Sequence, residues 1–366
     1  MLPSLTERDI EAGLRSFIER EFPIATPAFQ PDGVSIIDSY IEKKGNFIQG
    51  PWLEIRRPFR TIQADMKSAL PHLSGKWGIA SDWVPYAHQL KTFERLAYPN
   101  PKSTIVATGT GSGKTECFLL PVLDAVLQMN TENIPGIKAI VIYPMNALAT
   151  DQARRFASMC EDIVEAGGPR LTVGLYTGSP GSKSSVMKGE NCVTDRNVLR
   201  RNPPDILLTN YKMLDFLLLR REDRALWRTT TAKSLRYLIV DELHTFDGAQ
   251  GTDLACLIRR LRDFLTLGDE LACVGTSATL GGNDGLTALQ QYASDVFGAD
   301  FSDTDSIIME DRLSLGEYLD SFGPRHFEGR WPTPYQFKAF QSLSRASTAE
   351  RFASEAYSLW FGRFLS

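Results

Sequence analysis

The hydrophobic positions near the N-terminus of this chain recur at helical spacing. Ile10, Leu14 and Phe17 lie three to four residues apart, which predicts an amphipathic helix. Thr6 and Asp9 precede them in a capping-box pattern, which is typical of a helix start. We therefore predict that the chain begins with a helix that packs one face against the rest of the protein.

From residue 104 onward, short and continuously apolar runs alternate with amphipathic segments. The runs are STIVAT, KAIVIYP, LTVGLYTG, DILLTN, RYLIVDE and LACVGTSAT, and the helical segments lie near 113–129, 146–166, 210–221, 250–266 and 285–297. Apolar strands that alternate with helices are typical of a parallel sheet covered on both faces. The pattern predicts an α/β fold that binds its ligands at the carboxyl ends of the strands.

The regions on either side of this pattern are less regular. Prolines and glycines interrupt residues 23–80, which indicates an extension lying on a core. After residue 300 we predict a short strand in SIIME and helices near 334–344 and 347–361. The predicted organisation is a mostly helical N-terminal extension, an α/β domain and a short C-terminal helical segment, at 1–80, 81–300 and 301–366.

Composition narrows the class of protein only slightly. The 366 residues carry a formal charge of -4 and 43% hydrophobic residues, which suffices for a large core. This balance argues against a uniformly basic surface but leaves a local basic track open. The five cysteines are widely spaced without a CxxC pair, so neither a zinc site nor a disulfide framework is predicted. No signal-peptide core or membrane-length apolar run is present, so a cytoplasmic location is expected.

The stretch TGTGSGKT follows an apolar run and opens a helical segment, which is the context of a phosphate-binding loop. Backbone N–H groups of such a loop surround phosphate oxygens, Lys114 adds a positive charge, and the Thr115 hydroxyl is a candidate Mg²⁺ ligand. The strict G-x-x-x-x-G-K-[ST] pattern is missed at Thr108. A glycine-rich turn without a ligand is the weaker alternative. The candidate ATP-binding residues are Thr108, Gly109, Thr110, Gly111, Ser112, Gly113, Lys114 and Thr115.

The stretch YLIVDELH adds two carboxylates after another apolar run. Asp241 is the candidate Mg²⁺ ligand and Glu242 the candidate group that orients the attacking water. Alone, such a pair is as often a helix cap or a solvated turn. Together with the phosphate loop it indicates an ATPase that uses ATP and Mg²⁺, with Lys114, Asp241 and Glu242 as catalytic candidates.

Residues 83 to about 300 resemble the first motor lobe of the superfamily two DEAD/DEAH-like helicases. WVPYAHQ resembles the adenine-reading Q motif, which implies roles for Tyr86 and Gln89 at the base. DELH stands for the DEAD or DEAH box, with Leu243 in its third position. TSAT resembles the motif that couples ATP state to nucleic-acid grip, which implies coupling roles for His244, Ser277 and Thr279. YPMNALATDQ, YTGS and LLTNYKML resemble nucleic-acid-contact motifs, and their candidate residues are Pro144, Asn146, Thr177, Gly178, Thr209 and Asn210.

A narrower resemblance is carried by YPMNALATDQ and VDELHTFDGAQGTDLACLIRRLR. These stretches are similar to the large bacterial helicases typified by Lhr and MrfA, whose relatives act in DNA repair or phage defence. The basic helix near 250–266 is interpreted as a solvent-facing surface, with a phosphate-backbone contact by Arg259, Arg260 and Arg262 as the alternative.

In this family a second RecA-like lobe supplies arginines and moves against the first. Residues 300–366 are too few for such a lobe, so we expect the ATP-binding lobe of a DNA helicase or translocase. Its second lobe would lie on a missing segment or a partner chain. Two alternatives stay open: a nucleotide-dependent binding subunit with little hydrolysis, and a different P-loop enzyme. The resemblance favours DNA over RNA as the bound nucleic acid, while translocation polarity and oligomeric state are not predicted by the sequence.

Overall fold

Two units make up the chain in the computed structural model, Pro58–Leu313 and a second unit of Met1–Arg57 with Ser314–Ser366. The residues described are 12–14, 16–17, 20–21, 57–73, 83–109, 111–178, 184–278 and 283–320. In the second unit, residues 12–14, 16–17 and 20–21 are helical, as their spacing predicts. The helices predicted near 334–344 and 347–361 lie outside the described residues.

The larger unit alternates strands and helices along the chain. Its helices and strands are α1 Met66–Ala69, α2 Ala87–Leu96, β1 Thr104–Ala107, α3 Lys114–Thr131, β2 Ala139–Tyr143, α4 Asn146–Glu165, β3 Val173–Tyr176, α5 Arg196–Arg201, β4 Ile206–Asn210, α6 Tyr211–Leu219, β5 Tyr237–Val240, α7 Gly248–Leu265, β6 Ala272–Ser277, α8 Asn283–Phe297 and β7 Ile307–Met309. Short 3₁₀ turns cover Arg221–Trp227, Leu243–Thr245 and Thr304–Ser306. The six predicted strands and five predicted helical segments are all confirmed.

The seven strands described form one sheet in the order β3-β4-β2-β5-β6-β1-β7, and every described pair of neighbours is parallel. All residues of β1, β2, β5 and β6 are buried, as expected for strands with helices on both faces. Helix α2 packs against α3, and α7 packs against both α6 and α8. The predicted α/β class with a helix-covered parallel sheet is confirmed.

The larger unit is wider than the predicted range of 81–300. Strand β7 lies after residue 300 and pairs with β1, so SIIME contributes an edge strand to the sheet. Phe59 forms an antiparallel bridge with Arg312, and Thr61 forms one with Tyr86. Residues 59–61 therefore join the sheet edge to the start of α2. The short strand predicted in SIIME is thereby confirmed, whereas single bridges leave too short a pattern to be read from sequence.

Helix α9 Leu315–Asp320 follows β7 along the chain and belongs to the second unit. The Ser314 N–H donates to the Glu317 carboxylate and the Glu317 N–H donates to the Ser314 hydroxyl, at 2.7 and 3.3 Å. This reciprocal pair is a capping box that fixes the helix start.

The structure describes all five cysteines, and its helices can be compared with the length and apolar character of a membrane span. All five cysteines are unpaired, and four of them are buried. No helix in the described part of the chain combines the length and the apolar character needed to cross a membrane.

Candidate active site

The phosphate loop connects β1 to α3 and depends on two glycines in the left-handed region. Gly111 has φ 77° and Gly113 has φ 75°, a conformation that costs other residues about 1–2 kcal/mol. A Cβ at Gly113 would also overlap the Gln89 side-chain amide, whereas the space around Gly111 is open. Thr110 lies outside the described residues. Gly113 is therefore needed for both conformation and space.

Thr108, the departure from the strict loop pattern, has a structural function. Its side chain is fully buried and its hydroxyl lies 2.7 Å from the Ser112 hydroxyl, across the loop. Its N–H donates to the Ser277 carbonyl at 3.2 Å. The hydroxyl pair thus braces the loop from within, so a threonine is accommodated where the pattern has glycine.

Three side chains hold the loop through its backbone. His88 Nε2 donates to the Ser112 carbonyl at 2.8 Å, and Gln89 Nε2 donates to the Gly113 carbonyl at 3.5 Å. The Gly109 N–H donates to the Glu310 carboxylate at 2.8 Å. Gln89 was predicted from the motif, whereas His88 and Glu310 were not. His88 is next to Gln89 in WVPYAHQ, whereas nothing in the sequence connects Glu310 to the loop.

Burial of the His88 ring favours its neutral form. Burial lowers its pKa and outweighs the opposing effect of the Ser112 carbonyl. Because a carbonyl only accepts, Nε2 carries the proton and Nδ1 does not. Nδ1 is buried and has no hydrogen-bond partner within the described residues.

Gln89 and Tyr86 lie at the start of α2, beside the loop. Gln89 is 3% exposed, and its Oε1 accepts the Tyr86 N–H at 3.0 Å, so both ends of its amide contact backbone. The Tyr86 ring stacks on His88 with centroids 5.5 Å apart and contacts Phe59 at 5.0 Å. Arg312 lies over Phe59, 4.0 Å from its centroid. These rings form an aromatic wall, defined here as Phe59, Tyr86 and His88.

The acidic pair follows β5 and faces Lys114. Lys114 Nζ lies 3.3 Å from Glu242 Oε1, which joins the phosphate loop to the acidic pair directly. Glu242 has φ 50°, a left-handed conformation that is uncommon outside glycine. The structure therefore brings the three predicted catalytic residues, Lys114, Asp241 and Glu242, to one place.

Thr276, which was not predicted from the motifs, contacts the Asp241 carboxylate and the Glu242 backbone. Its hydroxyl donates to Asp241 Oδ1 and accepts the Glu242 N–H, the latter at 2.9 Å. Burial raises the pKa of Asp241, and the Glu242 charge adds to this, while the Thr276 hydrogen bond and the Lys114 charge oppose it. The pKa of Asp241 lies above its ordinary value as a result.

The donors at this place fit Mg²⁺. Asp241 and the Thr115 hydroxyl offer hard oxygen atoms, and a cation would relieve the cost of burying the Asp241 charge beside Glu242. No group of three or more His, Cys, Asp or Glu side chains suited to a metal occurs among the residues described. That is compatible with Mg²⁺, which is commonly bound by one or two protein groups together with substrate phosphates.

The predicted coupling residues also meet at this site. His244 Nδ1 lies 3.4 Å from the Ser277 hydroxyl, from the Ala278 nitrogen and from Glu242 Oε2. The Ala278 N–H donates to Nδ1 when the ring nitrogen is unprotonated, whereas a protonated Nδ1 would donate to the Glu242 carboxylate, so these two contacts belong to different protonation states of the ring. His244 thus connects the acidic pair to the end of β6, while Thr279 lies outside the described residues.

The predicted nucleic-acid residues gather at the carboxyl ends of β2, β3 and β4. Asn210 Nδ2 donates to Asn146 Oδ1 at 2.6 Å, and Asn210 Oδ1 caps α6 by accepting the Met213 N–H. Pro144 is partly buried, and Arg196 donates to the Thr177 carbonyl at 3.0 Å. Gly178 is exposed.

Thr209 differs from the other nucleic-acid candidates. It is fully buried, and its hydroxyl donates to the Tyr176 carbonyl at 2.7 Å. It therefore braces β4 against β3 instead of lying on the surface. The prediction of a direct contact is not compatible with this burial.

The arginines of α7 contact the protein itself. Arg260 pairs with Asp215, Arg259 donates to the Ala255 and Asp295 carbonyls, and Arg262 donates to the Gly268 carbonyl. These contacts favour the interpretation of a solvent-facing helix surface over that of a phosphate-backbone contact.

A parallel sheet with a phosphate loop after β1 and an acidic pair after β5 defines the class of P-loop nucleoside triphosphatases. The family model of the DEAD/DEAH box helicases matches residues 86–285, and the chain belongs to this family. The predicted first-lobe, RecA-like fold is the fold of this family. The resemblance found in the motifs is thereby confirmed.

Individual relatives support the narrower resemblance as well. The chain is 26% identical over 396 aligned positions to Druantia protein DruE of Escherichia coli (strain UMEA 4076-1), covering 80% of this chain and 21% of that protein. It is 28% identical to Lhr helicase/uracil glycosylase of Escherichia coli (strain K12), covering 63% of this chain and 14% of that protein. It thus spans about a fifth or less of these relatives.

Among solved structures, helicase MrfA bound to DNA and AMPPNP aligns with a TM-score of 0.47 and 24% identity. The alignment covers 70% of this chain and 30% of that one.

Proposed function

We propose that this chain is the ATP-binding lobe of an ATP-dependent DNA helicase or translocase. The observation that carries the proposal is the convergence of Lys114 from the phosphate loop on Glu242 of the acidic pair, 3.3 Å apart. Phosphate-binding and water-orienting groups must meet in this way if a terminal phosphoryl group is to be transferred to water.

Each residue at this site has a role that follows from its position. The loop N–H groups and Lys114 would hold the phosphates, with Tyr86 and Gln89 at the base. Thr115 and Asp241 would hold Mg²⁺, which neutralises charge on the transferring phosphoryl group when bound. Glu242 would orient the attacking water, its position fixed by the Thr276 hydroxyl.

The coupling and partner assignments extend the same proposal. His244 and Ser277 would transmit the state of the ATP site to the surface of Pro144, Asn146, Thr177, Gly178 and Asn210, which would bind a strand. DNA is proposed over RNA from the motif resemblance to the Lhr- and MrfA-like helicases. A second RecA-like lobe, on another segment or chain, would supply the arginines needed for full turnover. DNA repair or phage defence stays a prediction for the pathway.

The proposal is tested by fluorescent-ATP binding and phosphate release, each with and without single-stranded DNA. Lys114→Ala should weaken ATP binding at least tenfold, about the effect of losing one charge-assisted contact, whereas Lys102→Ala on the exposed surface should not. Glu242→Gln should retain binding and slow hydrolysis about a hundredfold or more. Binding by wild type with little turnover even beside a second lobe would favour the alternative, a nucleotide-dependent binding subunit. Equal binding by Lys114→Ala and wild type would contradict the proposal.

A further inference from the structure

Side chains hold the backbone of the phosphate loop at two places, Gly109 and Ser112, and a series of contacts connects these side chains. At one end, the Gly109 N–H donates to Glu310 Oε2 at 2.8 Å. At the other, the Ser112 carbonyl accepts from His88 Nε2 at 2.8 Å. His88 belongs to the aromatic wall and Glu310 follows β7, so the two hydrogen bonds to the loop come from different elements.

Arg312 connects Glu310 with the aromatic wall. Its Nε donates to Glu310 Oε1 at 2.8 Å, so the two oxygens of Glu310 serve the loop and the arginine separately. Its guanidinium lies over the Phe59 ring, which in turn contacts His88 with centroids 5.5 Å apart. The contacts therefore run from Gly109 through Glu310, Arg312, Phe59 and His88 to Ser112.

The backbone around this chain of contacts is also fixed. The Leu313 N–H donates to the Pro58 carbonyl and the Arg60 N–H to the Asp311 carbonyl, at 3.0 and 2.8 Å. On the other side, the Ala87 N–H donates to the Arg60 carbonyl at 2.8 Å. Residues 58–60 are thus held between the end of β7 and the start of α2.

A carboxylate beside a loop that holds phosphates would repel its ligand unless its charge were balanced. Glu310 and Arg312 are only 20% and 17% exposed, so they form a partly buried ion pair. Burial raises the pKa of Glu310, but hydrogen bonds from Arg312 and Gly109 outweigh it, and the pKa lies below its ordinary value. Glu310 accordingly accepts the Gly109 N–H as a charged but balanced group.

We infer that Glu310 is a positioning residue for ATP binding: it fixes the phosphate loop through the Gly109 amide and, through Arg312 and Phe59, ties the loop to the aromatic wall. This inference rests on the proposed function for its ATP part only. The loop conformation and the base-side wall are then set together, by residues that lie more than 200 positions apart in the chain.

The loop part is tested by hydrogen–deuterium exchange of residues 105–117 in the whole chain without nucleotide. Glu310→Ala should speed exchange about five- to tenfold, the effect of losing one hydrogen bond. Glu310→Gln keeps one acceptor oxygen for the Gly109 N–H but turns its NH₂ group toward Arg312, so its exchange should fall between that of Glu310→Ala and that of wild type. Asp303→Ala is the matched control, because Asp303 also pairs with an arginine, Arg95, and accepts a backbone N–H away from the loop.

The ATP part is tested by fluorescent-ATP affinity of the same variants. Glu310→Ala should weaken affinity by a similar factor, and Glu310→Gln should recover part of it, because it keeps one of the two acceptor oxygens. Glu310→Met serves if the alanine variant does not fold. Loop exchange in Glu310→Ala equal to that of Asp303→Ala would overturn the inference, even if wild type binds ATP. Absence of ATP binding by wild type would instead contradict the proposed function, while the exchange comparison would still decide whether Glu310 positions the loop.

Discussion

The two left-handed glycines of the phosphate loop differ in what surrounds them. Gly111 and Gly113 have nearly the same φ, so substitution by alanine costs each about 1–2 kcal/mol in backbone strain. Only at Gly113 would the new Cβ displace the Gln89 amide. An alanine at Gly111 therefore changes the loop conformation alone, whereas an alanine at Gly113 changes the loop conformation and also displaces Gln89.

We expect Gly113→Ala and Gly111→Ala both to weaken ATP binding, but only Gly113→Ala to reduce the preference for ATP over GTP. The physical reason is that Gln89, placed at the base by the proposal, moves in one variant alone. The measurement is the ratio of the GTP and ATP dissociation constants, with Gln89→Ala as reference. An equal loss of preference in Gly111→Ala would assign base selection to the loop and not to Gln89.

Neighbouring hydroxyls at the end of β6 show what a motif can and cannot predict. The TSAT motif predicted roles for Ser277 and Thr279 near the acidic pair, but it is Thr276 that contacts Asp241 and Glu242. Side chains alternate along a strand, and the register that pairs Val240 with Gly275 places Thr276 beside Asp241. Ser277, on the other side, reaches His244. The motif located the contact, but only strand register decides which hydroxyl makes it.

At the scale of elements, an ion pair joins the starts of β2 and β4. Lys138 Nζ lies 2.6 Å from Asp205 Oδ1, and their side chains are 5% and 11% exposed. Asp205 Oδ2 also accepts the N–H and hydroxyl of Thr172, just before β3. One carboxylate thereby connects the amino ends of three strands.

We expect Lys138→Met to lower the free energy of unfolding by about 3–5 kcal/mol, because it leaves the Asp205 charge buried without its partner. Glu270→Ala, which breaks the exposed pair with Arg236, should cost about 1 kcal/mol or less. Chemical denaturation of both variants measures the difference. Similar small losses in the two would mean that Asp205 is satisfied by Thr172 and the backbone alone.

The elements that the sequence predicted are those with a long repeating pattern. Continuous apolar runs and 3.6-residue periodicity locate six strands and the helices between them, and the phosphate loop is recognised because its residues are consecutive. Phe59, His88 and Glu310 were missed because their contacts with the loop or wall join distant segments. Thr209 was misjudged because its motif position does not tell which face of β4 it occupies.

At the scale of the whole molecule, His244 connects the acidic pair to the end of β6. His244 Nδ1 lies 3.4 Å from both Glu242 and the Ser277 hydroxyl. On the other side, Asn146 and Asn210 hold the ends of β2 and β4 together. A change at Glu242 during hydrolysis can therefore reach Ser277 at the end of β6 through contacts already present.

We expect His244→Ala, assayed beside a second RecA-like lobe, to retain fluorescent-ATP affinity within about threefold and to lose most of the stimulation of phosphate release by single-stranded DNA. The reason is that His244 contacts the water-orienting carboxylate without touching the loop, so its loss removes communication and leaves the phosphate cradle intact. His72→Ala, a histidine beyond α1, is the control and should behave as wild type. If His244→Ala lowered basal and DNA-stimulated turnover by the same factor, His244 would act by positioning Glu242, and coupling would have to run through Ser277 alone.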